Sequence, residues 1–132
     1  IIAAHNVPYV AQASVSHWKD LTSKAEKAFN TPGAAFINVF APCPRGWRTP
    51  SSATIEIAKL AVQTGYWPLY EVEDGVWRQT VKVHNRKPVE EFLKPQGRFK
   101  HLFAPENAAL LAEIQQDTDR AWEQFLARCS QD

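Results

Sequence analysis

The chain has 132 residues, of which 45% are apolar, and its 15 basic and 14 acidic side chains leave a formal net charge of +1. This length suits one domain, and the near-neutral charge argues against broad nucleic-acid binding while leaving room for a local basic patch. No run of about 18 uncharged apolar residues occurs, so no segment is predicted to span a membrane.

Cysteine and methionine usage adds two expectations. The two cysteines, Cys43 and Cys129, are too few for a disulfide-stapled secreted scaffold, and no signal peptide is recognisable, which favours a cytoplasmic protein. The chain contains no methionine and opens with IIAAHNVPYV. We therefore expect residues 1–132 to be a fragment of a longer protein.

The first third of the chain has the pattern of a strand, a helix and a second strand. Residues 7–14 (VPYVAQAS) have an apolar centre that predicts a buried strand. A helix follows, with Ser14 or Ser16 as its N-cap. Its predicted apolar face consists of Trp18, Leu21, Ala25, Ala28 and Phe29. Residues 34–41 (AAFINVFA) predict a second strand covered on both faces, and a right-handed crossover would join the two strands.

The remaining elements indicate an α/β protein. Residues 53–65 (ATIEIAKLAVQTG) predict a mostly buried helix, because its polar stripe is narrow, and Gly65 is placed to end it. Residues 66–83 predict a hairpin with Asp74-Gly75 as its turn, in which Pro68 marks an edge strand or the beginning of the strand. A short helix follows in KPVEEFLK, and Pro105 opens a long final helix.

One cysteine is distinguished by its setting. Cys43 lies between Pro42 and Pro44 in APCPRGW, directly after the second predicted strand, where α/β proteins usually bind ligands. The prolines fix the backbone on both sides and remove a nearby amide donor. Two interpretations stay open from the residues alone. Cys43 is either a metal ligand or a buried free thiol in a turn, because no CxxC pair completes a site of about four ligands.

The other candidate residues have simpler interpretations. Cys129 continues the predicted core face of the final helix, which favours packing, although a disulfide with Cys43 stays open. His17 follows the first strand, where it could approach a ligand or merely be exposed or capping. A basic group occurs in RFKH: Arg98, Lys100 and His101. This group is either a solvated face or a dock for an anionic partner. No GxGxxG motif, phosphate loop or nucleophile elbow is present.

Five stretches, in this order, resemble one known family: VPYVAQASVSHWKDL, INVFAPCPRGW, TIEIAKLAVQTGYWPLYE, KPVEEFLKPQGRF followed by KHL, and RAWEQFL. They cover nearly the whole chain, and APCPRGW and QGRFKHL are the most specific of them. The chain resembles the carboxyl-terminal part of the beta subunit of the pyruvate:ferredoxin oxidoreductases (pyruvate synthases), within the 2-oxoacid:ferredoxin oxidoreductase family.

The resemblance implies a fold, a reaction and a set of cofactors. The fold is the carboxyl-terminal part of a thiamine-diphosphate-binding domain with a mostly parallel sheet, a hairpin and a long final helix. The reaction is the oxidative decarboxylation of pyruvate with coenzyme A to acetyl-CoA and carbon dioxide, with electrons passing to ferredoxin, or its reverse. The cofactors are thiamine diphosphate, Mg²⁺ and a 4Fe-4S cluster. Cys43 matches the position of one cluster ligand, and the other three belong to an earlier part of the subunit.

The departures from the family pattern limit what this chain does alone. The Gly-Asp-Gly segment that holds magnesium and diphosphate is missing, as is the early CxxC pair. We therefore expect no catalytic residue in this chain, no intact cofactor site and no turnover. We also expect self-association or poor solubility, unless the remainder of the beta subunit and the other subunits cover its apolar surfaces.

Charge and position add one candidate surface, and two alternatives stay open. Arg45 and Arg48, just past Cys43, are candidates for docking ferredoxin, which is commonly acidic, or for pairing with a neighbouring subunit. Arg98, Lys100 and His101 are weaker candidates for the same dock. One alternative function keeps the chemistry but uses oxalate or another 2-oxo acid. The other is a non-catalytic interaction or scaffold module in which Cys43 is an idle thiol.

Overall fold

The computed structural model describes residues 1–130, which form five α-helices, four short 3₁₀ helices and one four-stranded sheet. The strands are β1 (Tyr9–Ser14), β2 (Ala35–Phe40), β3 (Tyr70–Glu73) and β4 (Val76–Gln79). The α-helices are α1 (Trp18–Asn30), α2 (Pro44–Trp47), α3 (Thr54–Gln63), α4 (Val89–Leu93) and α5 (Ala108–Cys129). The 3₁₀ helices are Ile2–His5, Ser51–Ala53, Gly97–Phe103 and Pro105–Asn107.

The sheet has the strand order β2-β1-β3-β4. β1 and β2 are parallel and are joined by α1, whereas β3 is antiparallel to both β1 and β4. The α/β class, the hairpin and the long final helix are confirmed. The sheet is mixed and not mostly parallel, because the β3–β4 hairpin packs beside β1 and contributes two antiparallel pairings to one parallel pairing.

Two predicted turns have the backbone conformation that their residues favour. Asp74 and Gly75 both have positive φ angles, 49° and 85°, as a two-residue type I′ hairpin requires. Gly65 has a φ of 75° just after α3, as predicted. Pro68 precedes β3 and so lies outside the hydrogen-bonded ladder.

The main hydrophobic core lies among α3, α4 and the 3₁₀ helix Gly97–Phe103. It consists of Ile57, Leu60, Ala61, Val89, Phe92, Leu93 and Leu102. The prediction that α3 is mostly buried is confirmed, since five of its residues are buried. Aromatic side chains extend the core towards the end of β2, where Phe40 lies 5.0 Å from the ring of Trp67 and 6.1 Å from that of Phe92.

The predicted apolar face of α1 is wrong at both of its ends. Trp18 is 65% exposed and Phe29 is 91% exposed, and the residue that α1 buries is Lys24.

The Lys24 ammonium donates to Asp20 Oδ2 at 2.6 Å, to the Gln12 carbonyl at 2.8 Å and to Thr80 Oγ1 at 2.8 Å. Three donors meet three acceptors, which makes the burial of the charge tolerable. Burial nevertheless lowers the pKa of Lys24.

The predicted serine cap of α1 is also wrong. His17 occupies the N-cap position and makes no side-chain capping bond. Ser14 Oγ instead accepts from the Ser16 amide at 3.3 Å, so its oxygen is used within the loop that follows β1.

A second polar cluster lies between β1, β3 and α1. The Tyr9 hydroxyl donates to Glu71 Oε2 at 3.2 Å, and Lys27 Nζ donates to Glu71 Oε1 at 2.6 Å. Tyr9 is fully buried and Glu71 is nearly so. Burial, together with the negative charge of Glu71, raises the pKa of Tyr9 well above its usual value.

β2 forms one edge of the sheet and is more exposed than predicted. Phe36 is 41% exposed and Val39 is 39% exposed, so the strand is not covered on both faces by the described residues. No helix among residues 1–130 is long and apolar enough to cross a bilayer.

Candidate functional site

Cys43 lies in the loop that leaves the carboxyl end of β2, and it is the N-cap residue of α2. It is exposed, which contradicts the interpretation of a buried thiol. The Trp47 amide donates to the Cys43 carbonyl at 2.9 Å and closes the single turn of α2. The cysteine is therefore presented on a tight turn at the end of the sheet where α/β proteins bind ligands.

The residues next to Cys43 fix its backbone and leave its sulfur accessible. Pro42 is buried and Pro44 occupies the first turn of α2, so proline restrains the backbone on each side of the cysteine. A Cβ atom added at Gly46 would lie 3.4 Å from the Cys43 Sγ. Glycine at this position therefore leaves space beside the thiol.

Residues far away in the sequence support the Cys43 turn. Arg48 is the C-cap residue of α2; it has a left-handed φ of 56°, and its carbonyl accepts from the Gly97 amide at 3.4 Å. The ring of Trp47 lies 5.7 Å from Phe40 and 4.0 Å from the guanidinium carbon of Arg98. The segment QGRFKHL thus lies directly beside APCPRGW.

Gln96 links this segment to the core. It is almost fully buried, its Nε2 donates to the Phe92 carbonyl at 2.6 Å, and its Oε1 accepts from Arg98 Nε at 3.0 Å. Sequence reasoning missed the roles of Gln96 and of the Trp47–Arg98 stack. The signal that could have indicated them was that APCPRGW and QGRFKHL were the two most specific stretches of the resemblance.

The basic candidates are exposed near this turn. Arg45 and Arg48 are both exposed and take part in no salt bridge within residues 1–130. Arg98 and Lys100, also exposed and without a carboxylate partner there, extend the positive surface, and His101 is exposed beside them. The two basic groups that the sequence places 50 residues apart are brought close together by the contact of Gly97 with Arg48.

The described residues supply one thiol and not a complete metal site. No group of three or more His, Cys, Asp or Glu side chains in this part of the chain could hold a metal ion. A soft, exposed thiol fits iron as one ligand of a cluster whose remaining ligands come from outside the chain. No disulfide joins Cys43 to Cys129, which is half-buried at the end of α5.

His17 lies on the loop that follows β1. Its Nδ1 is 2.9 Å from Ser16 Oγ, and burial of the half-buried ring lowers the pKa of His17. The Ser16 contact is local and accounts for the position of the His17 side chain within the loop.

By sequence, the chain is similar to part of the subunits of pyruvate synthases and ketoisovalerate oxidoreductases. It is 52% identical over 127 residues, 96% of its length, to pyruvate synthase subunit PorB of Thermotoga maritima. It is 46% identical over 91% of its length to ketoisovalerate oxidoreductase subunit VorB of Pyrococcus horikoshii, and 51% identical over 80% to PorB of Methanosarcina barkeri. The resemblance seen in the sequence is therefore confirmed.

The match extends over only part of these relatives. The chain spans 39% of the length of the Thermotoga and Pyrococcus subunits and 36% of the Methanosarcina subunit. No protein-family model matches the chain.

Proposed function

We propose that residues 1–132 are the carboxyl-terminal portion of a thiamine-diphosphate-binding beta subunit of a cytoplasmic oxidoreductase that acts on pyruvate. The assembled enzyme converts pyruvate and coenzyme A to acetyl-CoA and carbon dioxide and passes two electrons to ferredoxin, or runs the reverse reaction. The observation that carries this proposal is the 52% identity to a pyruvate synthase subunit over 96% of the chain. The chemistry supplied by the bound groups is carbanion stabilisation by thiamine diphosphate with Mg²⁺, and one-electron transfer by a 4Fe-4S cluster.

Cys43 is the residue of this chain that would hold the cluster. Its exposed thiol, deprotonated on binding, supplies one thiolate, while Pro42 and Pro44 limit how far the backbone at the ligand moves. Gly46 leaves open the side of the sulfur that a methyl group at this position would contact. The other ligands, and the groups that bind thiamine diphosphate and Mg²⁺, belong to the remainder of the beta subunit or to other subunits. The isolated chain is accordingly inactive.

The exposed arginines beside Cys43 give this surface a second role. Arg45 and Arg48 face solvent without carboxylate partners in the described structure. An acidic ferredoxin is attracted to such a surface, and attraction to the turn that carries Cys43 brings the electron acceptor towards the proposed cluster. This proposal involves no nucleic acid and no membrane.

The ligand role is tested by replacing the thiol in the assembled enzyme. Cys43→Ser removes the soft donor with minimal change in size, so the electron paramagnetic resonance signal of the reduced cluster should be lost or altered. Cys129→Ser is the matched control and should leave the signal unchanged. A normal spectrum and normal ferredoxin reduction in Cys43→Ser would refute the ligand role and favour a module in which this cysteine is idle.

The substrate is tested separately, because one relative is named for ketoisovalerate. The ratio of kcat/KM for pyruvate to that for ketoisovalerate distinguishes the two acids in a single enzyme preparation. We expect pyruvate to be preferred. A preference for ketoisovalerate, or for another 2-oxo acid such as oxalate, would reassign the substrate without touching the role of Cys43.

A further inference from the structure

We propose that Arg98 is a positioning residue for the Cys43 thiolate: its guanidinium, stacked on Trp47, holds the cysteine-bearing turn against the domain. This inference rests on the proposed function, in which Cys43 binds iron. It assigns to Arg98 a role that differs from docking an acidic partner, because its guanidinium contacts Trp47 and Gln96 of the same chain.

A short chain of contacts connects Arg98 to Cys43. The guanidinium carbon of Arg98 lies 4.0 Å from the centroid of the Trp47 ring. The amide of the same Trp47 donates to the Cys43 carbonyl at 2.9 Å. The ring that stacks on Arg98 and the amide that closes the turn around the cysteine thus belong to the same residue.

Arg98 is itself held in the orientation that stacking requires. Its Nε donates to Gln96 Oε1 at 3.0 Å, and Gln96 is fixed by its bond to the Phe92 carbonyl in the core. A planar guanidinium donates at its edge while a face covers an aromatic ring, and a lysine ammonium cannot do both in this geometry. Arg98 thus couples a buried amide of the core to the ring of Trp47.

Gly97 adds a second contact with the end of the turn. A Cβ atom added there would lie 2.8 Å from the Arg48 Cβ and 3.0 Å from the Arg48 carbonyl oxygen. The backbone at Gly97 therefore touches the residue that ends α2, and the Gly97 amide donates to its carbonyl. The two contacts hold α2 at Trp47 and at Arg48.

Positioning matters here because the proposed ligands come from separate parts of the protein. The two prolines fix the backbone torsions around Cys43, but they do not fix where the whole turn lies relative to the core. A ligand to a preformed group must be held to within about 0.5 Å of its productive position. The Trp47–Arg98 stack and the Gly97–Arg48 contact supply that restraint.

The experiment compares Arg98→Gln with Lys100→Gln in the assembled enzyme. Both variants remove one positive charge from the same exposed segment, but only the first removes the stack. In Arg98→Gln, hydrogen–deuterium exchange at the Trp47 amide should be about fivefold faster, and the resonance signal of the cluster should shift. Lys100→Gln should match the wild type in both measurements. Arg98→Lys should instead behave like Arg98→Gln, with faster exchange and a shifted signal.

Two further variants make every outcome informative. Gly97→Ala should also speed exchange at Trp47, since its methyl group displaces Arg48. Either wild-type exchange or an unshifted signal in Arg98→Gln would overturn the positioning role, even where Cys43→Ser abolishes the cluster. Faster exchange in Arg98→Gln with an intact cluster in Cys43→Ser would instead refute the ligand role and leave Arg98 as a structural restraint only.

Discussion

Tyr9 and Lys24 are buried titratable residues on β1 and α1, and burial shifts their pKa values in opposite directions. Burial is the largest cause of the raised pKa of Tyr9. The charge of Glu71 and the hydrogen bond to its carboxylate raise the pKa further. Burial lowers the pKa of Lys24, against the opposing effect of Asp20. In each case the low dielectric of the interior disfavours the charged form.

Replacing Tyr9 tests the first of these shifts. Below pH 10, Tyr9 is protonated in both the folded and the unfolded state. Between pH 10 and the raised pKa of the folded state, Tyr9 ionises only in the unfolded chain. The free energy of unfolding therefore falls as the pH rises through this range. Tyr9→Phe removes this contribution to the fall in the free energy of unfolding. At pH 7 the variant should be less stable by about 1 kcal/mol through the lost hydrogen bond, and its disadvantage should shrink above pH 10. Urea denaturation between pH 7 and pH 11 measures both.

The comparison isolates Tyr9 because the other titrating groups are common to both proteins. Lys24 acts in the opposite sense: between its lowered folded pKa and its unfolded pKa of 10.5, stability rises with pH. A constant stability difference between Tyr9→Phe and the wild type at all pH values would contradict the prediction.

At the scale of the elements, two glycines with positive φ separate backbone strain from steric overlap. Gly75, in the hairpin turn, has no heavy atom within 4 Å of an added Cβ, whereas at Gly65 that atom would lie 2.8 Å from Arg86 Cδ and 2.9 Å from Trp122 Cε3. The two sites thus share the strain of a left-handed conformation and differ in available space.

We expect Gly75→Ala to lower the free energy of unfolding by about 1 kcal/mol, through strain alone. Gly65→Ala should cost about 2 to 4 kcal/mol, because the methyl group must also displace Arg86 and the buried Trp122. Chemical denaturation of the two variants gives both values. Equal costs would show that α5 moves away from the end of α3 without penalty.

The elements that the sequence predicts well are those with local signals. The Asp74-Gly75 turn, the helix end at Gly65 and the broad apolar side of α3 each depend on neighbouring residues. The α1 face was mispredicted because the acceptors that satisfy Lys24 include Gln12 and Thr80, which are 12 and 56 residues away. No periodicity within α1 contains that information.

The candidate site follows the same division. Its cysteine is recognisable from the two prolines and from the preceding strand. The stack of Arg98 on Trp47 joins residues about 50 positions apart in the sequence, so only the tertiary structure shows it. The mixed sheet was missed for a similar reason, because the pairing of β3 with β1 is a long-range contact.

At the scale of the whole molecule, the net charge of +1 conceals an uneven distribution near Cys43. Most cations on other surfaces have carboxylate neighbours, as Arg120 has in Asp117, whereas Arg45 and Arg48 have none in the described structure. Unpaired charges of one sign generate the longer-range field that attracts a partner.

The double variant Arg45→Gln/Arg48→Gln should reduce the bimolecular rate constant for ferredoxin reduction by about tenfold at low ionic strength. Variant and wild type should converge towards 1 M salt, where the screening length is about 3 Å. Stopped-flow kinetics across a salt series measures this effect, and Arg120→Gln serves as the control. A salt-independent loss of rate would indicate that these arginines act within the protein and not in steering.

Within residues 1–130, one side of β2 has no neighbouring strand, and this has a consequence for how a protein containing the chain is assembled. Backbone amides and carbonyls at a sheet edge form hydrogen bonds with an incoming strand largely without regard to its sequence. The exposed side chains of Phe36 and Val39 add apolar surface that favours such contacts. Correct assembly then depends on kinetic competition. The intended neighbour, whether it is tethered or co-synthesised, must bind before a second copy of the chain does. Slow, dilute production together with the strand or chain that covers β2 would therefore favour the correctly assembled protein over aggregates.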